Sequence, residues 1–89
     1  MLSFEEACQK AYCFFIENTQ QIAIYSAMDA GDFWIFFGDT EGYIDVGGQG
    51  IKINKESGKI EEFTLPDLEN FRIMKNAVAL EVSSEFKKK

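Results

Sequence analysis

The sequence predicts an α+β domain: one long N-terminal helix packed on an antiparallel sheet of four to five strands, with a short second helix before the last strand. Three observations predict it. Apolar residues recur at helical spacing from Ser3 to Glu17, the period then switches to two, and Gly, Asn and Asp punctuate the alternating runs that follow. A length of 89 residues suits one core and is too short for two, so residues 1–89 read as a single domain. With 46% hydrophobic residues and nine Phe, dense packing is expected to hold so small a chain together.

In the first element Phe4, Cys8, Ala11 and Phe15 form the apolar stripe. Ala7, Tyr12 and Phe14 widen it, and Glu5, Gln9 and Lys10 lie opposite. Ser3 followed by Glu6 is a capping-box pair, in which the hydroxyl accepts from one free amide and the carboxylate from another. Asn18 and Thr19, weak helix formers, end the helix. Ile22, Ile24, Ser26 and Met28 then alternate with Ala23, Tyr25 and Ala27 as a strand does, and Asp29-Ala30-Gly31-Asp32 supplies a turn. Phe33-Trp34-Ile35-Phe36-Phe37 is apolar on both faces, which predicts a central strand with its second face at least partly covered.

The stretch from Gly38 to Gly50 reads as a long loop with room for a short strand. Ile51–Asn54 and Lys59–Thr64 flank Lys55-Glu56-Ser57-Gly58 as a hairpin, with Gly58 suited to the left-handed position. Pro66 fits the first turn of the short helix, where its missing amide costs nothing, and Asp67 and Glu69 complement the positive end of the helix dipole. Ala77–Val82 alternates as a closing strand, and 83–89, ending in three lysines, reads as a frayed tail.

The chain has no histidine, which removes the usual general base, the commonest zinc ligand and every Ser-His or Cys-His nucleophile pair. Cys8 and Cys13 lie five apart on one helix, about 140° around its axis and roughly 8–9 Å apart, too far for a disulfide. Both are expected as buried thiols without metal or redox roles. Carboxylates remain as acid–base groups, but Asp29, Asp32, Asp39, Glu41 and Asp45 read as turn residues and solvating charge. Gly47-Gly48-Gln49-Gly50 lacks the Lys-Ser/Thr pair of a phosphate loop, and Asp39–Asp45 resembles a calcium loop in charge alone. No enzyme, metal or cofactor is therefore expected.

A net charge of −6 disfavours nucleic acid and anionic membranes and favours a basic protein partner. No segment has the length or apolarity of a membrane span or signal core, so the expected setting is the cytoplasm. Tyr43, flanked by Asp39, Glu41 and Asp45 in the glycine-rich loop, is the candidate partner anchor: an aromatic ringed by carboxylates suits a basic target. For Phe33–Phe37 core packing is the plainer reading, and a partly exposed face serving as an interface is the alternative.

The segment from Asp32 to Val82 resembles a known family. Its aromatic strand, glycine-bearing loop and Ile51-Lys52-Ile53-Asn54-Lys55-Glu56-Ser57-Gly58-Lys59-Ile60 hairpin are similar to the V-D-K-x-T-G-x-V hairpin of small bacterial immunity proteins of the immunity-protein-35 type, and more loosely to PepSY domains. Asn54 stands where that pattern prefers Asp, and the helix expected over Pro66–Asn76 is not PepSY-like. The resemblance implies a non-catalytic bacterial protein that neutralises a toxin or regulates a peptidase by binding it, and it transfers no functional residue. Self-association into a homodimer, through a sheet edge or the aromatic strand face, is the alternative.

Overall fold

The computed structural model of the protein describes residues 2–19, 21–40, 49–64, 72, 73 and 75–87. Helix α1, Phe4–Asn18, is followed by strands β1 (Gln21–Asp29), β2 (Phe33–Thr40), β3 (Gln49–Asn54), β4 (Ile60–Thr64) and β5 (Val78–Leu80), and by a 3-10 turn at Ser84–Phe86. The strands form one antiparallel sheet in the order β4-β3-β2-β1-β5, so the aromatic strand is its centre. This is the expected α+β architecture with five strands.

Both ends of α1 are closed locally. Ser3 Oγ accepts from the Glu6 amide at 3.1 Å, and the Ser3 amide donates to Glu6 Oε1 at 3.3 Å. At the other end the Thr19 amide and hydroxyl both donate to the Phe15 carbonyl, at 3.1 and 2.6 Å. The stripe Ala7, Cys8, Ala11 and Phe15 is buried against Ile24, Ala27, Trp34, Phe36, Ile51 and Ile53 of the sheet. Phe4 adds ring contacts with Trp34 and Phe36 at 5.8 and 6.0 Å. Cys13 is exposed, which corrects the expectation of two buried thiols: a residue about 140° from Cys8 has left the stripe.

Side chains alternate along β2, so Ile35 and Phe37 point away from α1. Ile35 is nevertheless fully buried, and Phe33 and Phe37 are half-buried. The connection from β4 to β5 joins the two outer strands of the sheet, and residues 72, 73, 75 and 76 within it are helical. The proposed start of that helix at Pro66 lies outside the described residues.

Four boundaries differ from the expected ones. β2 runs on through Gly38, Asp39 and Thr40, which pair with β1 by backbone and need no apolar side chain, and β3 begins at Gln49, both within the stretch expected as a loop. β5 stops at Leu80, because Val82 turns in to the helix-side core at 4% exposure. The chain beyond it is not a free tail from Ser83. Phe86 is 5% exposed and meets the ring of Tyr12 at 5.7 Å, since one aromatic in a polar stretch is enough to anchor it.

Candidate functional site

β2 ends at Thr40 and β3 begins at Gln49, so the loop carrying the expected anchor leaves one end of the sheet. The pairs Gln21↔Thr40 and Gln49↔Thr64 bring the start of β1 and the finish of β4 to that same end. Asp39 lies in β2 opposite Ala23. Glu41, Tyr43 and Asp45 lie outside the described residues.

The root of the loop is packed tightly. Gly50 pairs with Phe37 on one side and Phe63 on the other, and those two rings meet edge-on at 6.1 Å. A Cβ on Gly50 would stand 2.5 Å from the Phe36 carbonyl oxygen and 2.8 Å from the Phe37 ring, so glycine is what lets the aromatic pair close over the strand.

Beside this root, β1 carries two bulges. Between Gln21 and Ala23, and again between Ile24 and Ser26, it advances two residues against one of β2. The extra residues, Ile22 and Tyr25, are 39% and 59% exposed, while Ala23 and Ile24 between them are buried. β5 pairs with β1 over Ala27–Asp29, so among the described residues no strand lies along the outer side of this bulged half. Ile16, near the C-terminus of α1, is 49% exposed. In the sequence Ile22 and Tyr25 read as members of a regularly alternating strand, and nothing in the local pattern marks the broken phase at adjacent Ala23 and Ile24.

The opposite end is held by Lys55. Its ammonium bonds Asp29 Oδ1 at 2.8 Å and sits 5.2 Å from the Trp34 ring centre. Its amide donates to the Asp32 carbonyl at 3.1 Å and its carbonyl accepts from the Leu2 amide at 2.8 Å. Both turns there use glycine in the left-handed region, Gly31 at φ 92° and Gly58 at φ 73°.

Lys55, by its hydrogen bond, holds the Asp29 carboxyl below the usual carboxylate range, with the Gly31 amide adding to it. Lys59 does the same for Glu61, and Lys52 contributes. Both carboxylates are thus held in the charged form by a neighbouring lysine. Burial, helped by Glu5, pushes the Cys8 thiol up to about 11, far from a reactive thiolate. Among the described residues no three His, Cys, Asp or Glu side chains are grouped as metal ligands, and no helix is long and apolar enough to cross a membrane. No family model, curated protein or solved structure matches the chain.

Proposed function

We propose that the chain is a non-catalytic bacterial protein-binding domain of immunity or inhibitor type, acting in the cytoplasm on a basic toxin or a peptidase. The observation that supports it is the exposure of Ile22 and Tyr25 on the bulged half of β1, at the end of the sheet from which the loop with Glu41, Tyr43 and Asp45 departs. Large apolar side chains held outward on a paired strand are what an interface core uses, and the carboxylates expected from the sequence at Asp39, Glu41 and Asp45 would steer a basic partner.

Homodimerisation through the sheet edge is the second reading, since the same half of β1 has no strand neighbour among the described residues. Its bulges and the net charge of −6 both oppose it: bulges spoil a regular edge, and two like-charged copies repel.

A photo-crosslinker placed at position 25 separates the two. One foreign protein in the adduct, lost when Tyr43→Ala and a triple lysine replacement of Asp39, Glu41 and Asp45 are introduced, supports the leading reading. An adduct between two copies, with a dimer in sedimentation, supports the second.

A further inference from the structure

On the face of the sheet away from α1, and at the end opposite the loop, Phe33, Lys52, Asn54, Ser57, Lys59 and Glu61 line a recess of about 120 Å³. The strand register builds it: Phe33 pairs with Asn54, and Lys52 pairs with Glu61 one step along. Lys52 holds its ammonium 4.9 Å from the Phe33 ring centre, so the floor is aromatic and the wall cationic.

Two ammonium groups share one carboxylate there. Lys59 Nζ lies 3.3 Å from Glu61 Oε1, and Lys52 Nζ lies 3.6 Å from Oε2. In a chain of net charge −6, the recess therefore carries a surplus of one positive charge. Its neutral groups offer donors too. Asn54 Oδ1 accepts from the amides of Glu56 and Ser57 at 2.9 and 3.0 Å, which leaves its NH₂ without a partner among the described residues. Ser57 Oγ accepts from the Lys59 amide at 3.2 Å and keeps its own hydrogen to give.

We infer that this recess is a binding site for a small oxyanion, a carboxylate or phosphate group, and that Glu61 is its built-in competitor. Glu61 displays the geometry the site accepts, one cation on each carboxylate oxygen. An incoming oxyanion displaces it, takes both ammonium groups and gains the Asn54 and Ser57 donors that Glu61 does not use. The site is remote from the loop, so its failure leaves the protein-binding reading untouched.

The test is a titration of isotope-labelled protein with acetate and with inorganic phosphate, at ionic strength held constant with sodium chloride, read by NMR at the Asn54 side-chain amide and the Ser57 and Lys59 amides. Saturable shifts are expected, with the tighter of the two anions identifying the natural group. Glu61→Gln should tighten binding by about threefold or more, and Lys52→Gln should weaken it by about as much, through gain or loss of one facing charge. Both side chains are at the surface or its margin, so both variants fold. Shifts reproduced by chloride alone, or a Glu61→Gln midpoint no lower than the native one, would overturn the proposal.

Discussion

The two ends of the sheet are built on opposite plans. At the turn end, the start of α1, the β1–β2 turn and the β3–β4 turn converge on Lys55, and Lys10 adds a bond to the Gly58 carbonyl at 3.2 Å. At the loop end, packing is tight in the layer beneath, at Gly50, Phe37 and Phe63, while Ile16, Ile22 and Tyr25 face outward. The contrast teaches where a small domain can place a binding surface. Tying one end by hydrogen bonds and charge leaves the other free to expose apolar side chains without loosening the core.

The sharpest way to break this contrast is to remove the packing under the loop end. Phe63 is fully buried, so Phe63→Ala should destabilise by about 3–5 kcal/mol, the usual cost of deleting a core aromatic. Urea denaturation measures it. A loss below about 1 kcal/mol would mean that the loop end has no rigid foundation.

At the turn end the contributions are individually smaller. Ser3→Ala removes one half of a capping box and should cost about 1 kcal/mol. An unchanged denaturation midpoint would show that the start of α1 frays in solution and that the Leu2 to Lys55 bond is not holding it.

Much of this contrast was legible in the sequence at the turn end and little at the loop end. Ser3 and Glu6, Gly58, and the Asp29–Asp32 turn act through neighbours a few residues away, so local pattern reveals them. The central place of Phe33–Phe37 was readable because an apolar run on both faces has no other home in a sheet. In the sequence Lys55 reads as a turn residue, because its ties to Asp29, Trp34 and Leu2 are made across the fold. The bulges at Ile22 and Tyr25 depend on register with β2, and the burial of Phe86 depends on Tyr12; neither is written in local spacing. Of the expected site, Asp39 is placed at the edge of the loop, and Glu41, Tyr43 and Asp45 remain the proposal of the sequence alone.

The Asp29 to Lys55 pair gives the turn end a pH signature. Asp29 has a folded pKa below its unfolded one, so its stabilising contribution is full above the unfolded value of about 3.9 and is lost as pH falls through the folded value. Because Asp29 is partly exposed to solvent, the effect is small. Asp29→Asn should leave a shallower fall in stability between about pH 4 and pH 2 than the native chain shows. Parallel acid limbs for the two proteins would remove the ion pair from the account of the turn end.

The smallest expected effect is the one that tests the loop end most directly. Ile22 and Tyr25 are the surplus residues of two bulges, and the part of each that faces solvent contributes nothing to the core. Replacing both with Thr, a residue that suits an exposed strand without adding charge, should change stability by less than about 1 kcal/mol, near the usual range for surface positions. Residues retained for folding behave otherwise. If the double variant loses more than about 1 kcal/mol, Ile22 and Tyr25 are packing residues, and their exposure cannot support a binding role. If stability holds while crosslinking to the partner from position 43 disappears, the same two side chains are dispensable for the fold and needed for contact, the outcome the proposed binding role requires.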